Sequence, residues 1–367
     1  MDPFLNPFAP GAGTAPPFLA GRDEVIRAVR LACDRAGRGD PARSFLITGH
    51  RGVGKTVLLN RMAAEAANDG HLVTQLEASA GRSLADLLRG PMARTLRRWE
   101  DVQGSRALQE VGCGGFEDDL AQRFHQMGTV AAKAGKTWIL MVDEVQFLDE
   151  EDWSALVDAM RMAERNRLPV VFAGAGLPQV AELAGETKAS REELFTRHRL
   201  GLLSAQDCAK AVVIPLRSCN AGIDPDALDD LVNGTQGYPF YLQVLASLCW
   251  DAAEGPDIVK ADVQAAFKTM LEHLDEGFFR VRMDRMTDKE AEFVMAMAAC
   301  GDGPYETSAV AKAIGPKATG LSSLRRSLIR KGMICSPQAG FLAFTVPLFA
   351  DYVRRRHPAD FKAVVDW

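Results

Sequence analysis

Gly49-His50-Arg51-Gly52-Val53-Gly54-Lys55-Thr56 fits the pattern G-x-x-x-x-G-K-[ST], a phosphate-binding loop, and its flanks fit too. Ser44-Phe45-Leu46-Ile47-Thr48 before it reads as a buried strand, and Val57-Leu58-Leu59-Asn60-Arg61-Met62-Ala63 after it as a helix. The glycines let the backbone curl so that successive N–H groups converge on one point, and the positive end of the helix adds to that anion site. In this pattern Lys55 reaches the β- and γ-phosphates of ATP, and the Thr56 hydroxyl sits on Mg2+. Gly49, Arg51, Gly52, Val53, Gly54, Lys55, Thr56 and Val57 are the candidate nucleotide contacts. A chance glycine turn ahead of a lysine would need neither the strand nor the helix.

The second chemical landmark is Thr137-Trp138-Ile139-Leu140-Met141-Val142-Asp143-Glu144, about 90 residues downstream. An apolar run ending in two acids reads as a buried parallel strand with carboxylates at its C-terminal edge, where ligands gather in open α/β sheets. Asp143 is the candidate metal ligand with Thr56. Glu144 is the candidate general base that polarises an attacking water, and Lys55 and Glu144 form the catalytic pair.

Strands are expected at 43–48, 71–77, 137–144 and 168–176, with a short fifth at 200–203, alternating with helices. This implies an α/β fold, a parallel sheet with helices on both faces. After Ser204 the pattern is all-helical: 204–213, 225–233, 238–252 and 260–273. Ser204 is expected to cap the first of these and Asp224-Pro225 to start the second. Helices follow at 287–299, 308–314 and 319–331, then a hairpin from 333–336 and 341–345, the order of a winged helix. Residues 1–17, rich in Pro and Gly, read as an extended arm with Phe4 and Phe8 as anchors. The expected division is an arm at 1–17, a core at 18–203, a helical lid and connector at 204–284, and a winged helix at 285–367.

The 367 residues carry a net charge of −5, unevenly spread. Residues 285–356 hold eleven Lys/Arg against six Asp/Glu, about +5, which leaves about −10 for the rest. Arg325, Arg326, Arg330 and Lys331 lie on the third helix of that basic segment and are the candidate contacts to duplex DNA. Winged helices also bind proteins, so a protein partner stays open. The seven scattered cysteines form no C-x-x-C pair and read as reduced thiols of a cytoplasmic protein. No apolar run is long enough to span a membrane, and the N-terminus lacks the pattern of a signal peptide.

With these residues in place, the chain resembles AAA+ ATPases related to origin-recognition-type replication initiators and to STAND ATPases. More closely, it resembles a group of bacterial ATP-binding proteins with a C-terminal winged helix. The resemblance rests on Asn6-Pro7-Phe8-x-Pro10-Gly11-Ala12-Gly13, Gly21-Arg22-Asp23-Glu24, the loop at 49–56, Asp143-Glu144-Val145-Gln146, Gly237-Tyr238-Pro239 and Phe344-Thr345-Val346-Pro347. It implies that Leu19, Gly21 and Arg22 lie near the adenine and that Pro239 touches the base or ribose. It makes Arg191, Arg197 and Arg199 candidate arginine fingers in a homo-oligomer. Gly174-Ala175-Gly176 occupies the place of sensor 1, where Asn, Thr or Ser is usual, so a slow Mg-dependent ATP hydrolase acting as a switch is implied. An ATP-stabilised scaffold is the alternative, and a phosphotransferase fits less well because no acceptor pocket follows Asp143-Glu144.

Overall fold

The computed structural model describes residues 1–11, 13–103, 119–180, 194–315 and 320–356. Its centre is a five-stranded parallel sheet of β1 (Ser44–Gly49), β2 (Leu72–Glu77), β3 (Trp138–Asp143), β4 (Val170–Gly176) and β5 (Phe195–Leu200), in the order β2-β3-β4-β1-β5. Because β3, β4 and β1 are neighbours, the acids ending β3 and the loop following β1 reach the same C-terminal edge. The registers Phe45↔Ala173 and Met141↔Ala173 align these strands.

Strand alternation explains why both faces are covered. Phe45, Ile47, Ile139, Met141, Val171 and Ala173 pack with α1 (Asp23–Gly37) and α2 (Lys55–Asn68) on one face. Leu46, Leu140, Val142 and Phe172 pack on the other with α3 (Leu84–Gln103), α4 (Leu120–Lys133) and α5 (Glu150–Arg165). Such continuous apolar strands suit a sheet buried on both sides, and each fully buried Leu or Ile contributes roughly 1.5–3 kcal/mol.

The fifth strand lies earlier than the sequence suggests. Phe195–Leu200 pairs with β1 from Ser44↔Phe195 to Gly49↔Leu200, whereas 201–203 is not strand. The segment reads apolar-polar-polar-polar-polar-apolar because it is an edge strand with Arg197 and Arg199 exposed. The arginines are therefore in the strand, not before it. Arg191 lies outside the described residues.

A helical segment follows: α6 (Ala205–Ser218), α7 (Pro225–Thr235), α8 (Pro239–Ala252) and α9 (Lys260–His273). Ser204 caps α6 by accepting from the Asp207 N–H at 3.1 Å. Asp224 precedes α7, but its side chain makes no capping hydrogen bond; Pro225 at the first helical position sets that start. A π-turn at Leu274–Phe279 leads into α10 (Arg280–Asp284). Its two neighbouring phenylalanines face mainly different elements. Phe278 packs against Tyr238, Phe240 and Tyr241, while Phe279 lies 5.6 Å from Phe349 and 5.1 Å from Tyr352.

The C-terminal region contains α11 (Asp288–Ala299), α12 (Thr307–Ile314), α13 (Leu321–Arg330) and α14 (Phe349–Arg356). With the helical strands β6 (Gly222–Ile223) and β7 (Asp257–Ile258) counted first, its strands are β8 (Tyr305–Glu306), β9 (Ile334–Cys335) and β10 (Phe341–Phe344), an antiparallel sheet in the order β8-β10-β9. Thr287 and Glu290 form a reciprocal capping box at the start of α11. One apolar cluster runs from Phe8 through Tyr241 and Phe279 to Phe349 and Val353, so the helical segment and the C-terminal region share a core.

Of the two anchors expected in the arm, only Phe8 is buried; Phe4 is 98% exposed. The arm lies along α8: Asn6 Nδ2 donates to Ser247 Oγ at 3.0 Å, and Trp250 Nε1 donates to the Asp2 carbonyl at 2.8 Å. A Cβ added at Gly13 would lie 3.7 Å from Thr56 Cγ2, so the arm leads from α8 to the mouth of the phosphate loop.

Candidate nucleotide site

The loop from Gly49 to Gly54 joins β1 to α2, and sterics explain its glycines. A Cβ at Gly49 would lie 2.8 Å from the Leu200 carbonyl oxygen. Gly54 has φ +91° and caps α2 in the left-handed region, which an L side chain rarely adopts. Lys55 is buried, and its ammonium donates to the carbonyls of Gly49 and His50, both at 2.9 Å. Burial lowers its pKa, opposed by the charges of Glu144 and Asp143. The ammonium thus stands inside the curl of the loop, where it can meet phosphate oxygens. Burial, Arg199 and Lys55 hold His50 down to about 4, so its ring is neutral at pH 7.

Thr56 and Asp143, far apart in sequence, meet directly: the hydroxyl donates to Asp143 Oδ2 at 2.5 Å. Asp143 is buried, which raises its pKa against the hydrogen bonds from Thr56 and the Glu144 N–H. Among the described residues no group of three or more His, Cys, Asp or Glu could hold a metal. A hydroxyl beside a carboxylate is instead the oxygen pair that suits Mg2+ when phosphates and water complete its octahedron. Glu144 sits next to this pair with φ +53°, an unusual backbone for a residue with a side chain, and its carboxylate receives a hydrogen bond from Gln146.

Around the loop the structure separates roles that the sequence ran together. The buried Arg22 guanidinium donates to the Val53 carbonyl at 3.1 Å and the Gly201 carbonyl at 2.9 Å, tying the loop to the exit of β5. Gly21 (φ +66°) leaves no room for a side chain beside Asp207, and Leu19 is partly buried against the α1–α2 face. Pro239 is half-buried at the first position of α8. Its neighbour Tyr238, which motif reading passed over, is fully buried and donates to the Arg51 carbonyl at 2.8 Å. Its signal in the sequence is an aromatic ring between a left-handed glycine and a proline. Val57 is half-buried on the first turn of α2.

The C-terminal region rests on the same edge. Gln179, just beyond β4, donates to the Ile329 carbonyl at the end of α13. A Cβ at Gly332 would lie 3.6 Å from both Arg51 Nε and Leu177 Cδ1. The charge of Arg199 lowers the pKa of His50 and opposes the rise that burial causes at Cys335. Arg197 shares the exposed face of β5. On α13, Arg326 and Arg330 are exposed, and Arg325 reaches Ser336 Oγ at 3.2 Å. Lys331 turns inward to Glu290 at 2.6 Å.

This sheet order, with the glycine loop and the acids ending β3, is that of an AAA+ P-loop fold. Residues 19–172 match the family model described as AAA ATPase domain, and residues 276–353 match one described as a domain of unknown function. The chain matches no curated protein. Among solved structures it is similar to the Walker-type ATPase PABY2304 of Pyrococcus abyssi, at 14% identity and TM-score 0.68, over 92% of this chain and 96% of that one. It is also similar to the Aeropyrum pernix ORC2 protein, at 15% identity and TM-score 0.61, over 97% and 98% of the two chains. The Cdc6p of Pyrobaculum aerophilum aligns at 13% identity and TM-score 0.51, over 100% and 98%. The fold is thus related to that of origin-recognition-type proteins. Among the described residues no helix is long and apolar enough to cross a membrane.

Proposed function

We propose that the chain is a Mg2+-dependent ATP switch whose C-terminal region reads the state of the nucleotide. A core at 18–203 binds ATP between the phosphate loop and a helical lid at 204–284, with Leu19, Gly21, Arg22 and Pro239 bordering the base and ribose. Thr56 and Asp143 hold Mg2+, Lys55 holds the phosphates, and Glu144 orients the attacking water. Turnover is slow, because β4 ends in Gly174-Ala175-Gly176 and offers no polar side chain to the γ-phosphate. The structure of the Aeropyrum pernix ORC2 protein in ADPNP–ADP complexes supports an adenine nucleotide as the ligand class. Arg197 and Arg199, on the edge strand, are the described candidates for an arginine finger in a homo-oligomer.

The observation that carries the switch is the contact of Ile329 and Gly332 with Gln179, Leu177 and Arg51. Loop movement on γ-phosphate binding or loss would be felt at the end of α13 without an intermediary. Residues 285–367 then act as a winged helix that grips duplex DNA through Arg325, Arg326 and Arg330. The scaffold reading is favoured by a different observation: Lys331 is paired with Glu290, Arg354 with Asp302, and Arg355 with Asp275, so part of the basic charge is engaged internally.

ATP turnover with and without duplex DNA separates the two. A DNA-stimulated rate, with binding that weakens as salt rises, supports the DNA switch. Tight ATP binding with no effect of DNA on rate or affinity supports a protein-binding scaffold.

A further inference from the structure

The exit of β4 carries no polar side chain, yet the space beside it is occupied by an amide from another strand. Gln146 follows β3 on a 3-10 turn, Val145–Phe147, entered through the left-handed Glu144. Its Nε2 donates to Glu144 Oε2, and its Oε1 accepts the N–H of Leu177 at 3.1 Å, the first residue beyond β4. The glycine at the end of β4 makes this possible. A Cβ at Gly176 would lie 2.9 Å from Gln146 Oε1 and 2.8 Å from Val145 Cγ2. The small residue leaves the room that the amide fills.

We infer that Gln146 is a positioning residue for the Glu144 carboxylate, supplying from the exit of β3 the polar group that β4 lacks. The inference rests on the ATPase reading above, in which Glu144 orients water. An amide is suited to the task because it donates and accepts at once. Its acceptor is fixed by a backbone N–H at the sheet edge, so the donor is held in one orientation. The carboxylate it meets is therefore held as well, and a water-orienting group depends on placement to within a fraction of an ångström. The same fixed point, Leu177, is two residues from Gln179, which bonds the C-terminal region at Ile329. The carboxylate, the strand exit and α13 are thus consecutive partners.

Two variants separate positioning from mere anchoring. Gln146→Met keeps length and loses both hydrogen bonds. Gln146→Glu keeps an acceptor for Leu177 but sets a negative charge against Glu144. Each is measured by single-turnover hydrolysis of labelled ATP with protein in excess, by equilibrium binding of a fluorescent ATP analogue, and by thermal unfolding. Both variants are expected to bind the analogue within about twofold of wild type and to hydrolyse ATP about 10- to 100-fold more slowly. A Gln146→Glu protein at the wild-type rate would overturn the inference, since anchoring Leu177 would then be enough. So would a loss that appears in affinity rather than in rate. Glu144→Gln serves as the control. If it hydrolyses ATP normally, the role of Glu144 itself falls. If it is inactive while Gln146→Glu is normal, only the role of Gln146 falls.

Discussion

Tyr238 donates its phenolic proton to the backbone carbonyl of Arg51 at 2.8 Å, so the residue that starts α8 is hydrogen-bonded to the phosphate loop. Burial pushes that phenol up to about 12, which keeps it a donor throughout the physiological range. Tyr238→Phe removes the donor and leaves the carbonyl unpaired. We expect a loss of about 1 kcal/mol in urea unfolding and weaker ATP binding. Unchanged ATP affinity would mean that this contact holds α8 without shaping the site.

Gly52→Ala attacks the same contact from the loop side. The added methyl carbon would lie 1.9 Å from the Tyr238 hydroxyl, at a residue whose φ is +77°. Tyr238 and the loop cannot both keep their positions. ATP binding is expected to be lost, with destabilisation of about 2 kcal/mol or more. Calorimetric titration with ATP checks the first and thermal unfolding the second.

Arg22 predicts a different signature. Its guanidinium spans two carbonyls on separate segments, Val53 and Gly201, and burial lowers its pKa against the charge of Asp207. A lysine has one ammonium and no planar fork, so it cannot bridge both at the same geometry. Arg22→Lys should therefore weaken ATP binding nearly as much as Arg22→Ala, by about tenfold. A fully active lysine variant would show that charge, not the bridge, matters.

These residues also show what the sequence revealed and what it hid. The glycine loop and the Asp143-Glu144 pair stood out because each motif is compact and β3 is apolar up to Asp143. The parallel sheet was legible from alternating strands and helices. The fifth strand was misplaced because an edge strand need not be apolar, and Arg197 and Arg199 disguised it. Tyr238, Gln146 and Gln179 were passed over for another reason. Their partners are backbone carbonyls, a backbone N–H and a carboxylate, and three of the four contacts, Tyr238 to Arg51, Gln146 to Leu177 and Gln179 to Ile329, join segments far apart in sequence that only the fold brings together. The inward turn of Lys331 was hidden likewise, because its partner is on α11.

That lysine gives a pH-dependent test. Burial would push the Glu290 carboxyl up, but hydrogen bonds from Lys331, the Thr287 N–H and Ser327 outweigh it and bring the group down to about 2. A carboxylate whose folded pKa is depressed stabilises fully above its unfolded value, near 4.5, and loses that contribution as pH falls toward about 2. Lys331→Met leaves Glu290 buried without its cation and should cost about 3 kcal/mol at pH 7. The wild-type advantage should shrink between pH 4.5 and 2. Denaturant unfolding of both proteins at pH 7 and pH 3 checks the size and the sign.

The contact that couples the C-terminal region to the nucleotide edge yields the last prediction. Gln179 donates to the Ile329 carbonyl, while Gly332, at φ +70°, fits between Arg51 and Leu177. Gln179, Ile329 and Leu177 all lie outside the phosphate loop, so removing the Gln179 contact should alter communication more than binding. Gln179→Ala is expected to keep ATP affinity within about twofold and to reduce the ratio of DNA-stimulated to basal hydrolysis by about tenfold. Gly332→Val adds bulk at a left-handed residue and should do the same with a further loss of about 1–2 kcal/mol in stability. Turnover assays over a duplex titration read the ratio directly. If both variants keep the wild-type ratio, the C-terminal region senses the nucleotide through its shared core with the lid instead, and the aromatic contacts of Phe278 and Phe279 become the path to test.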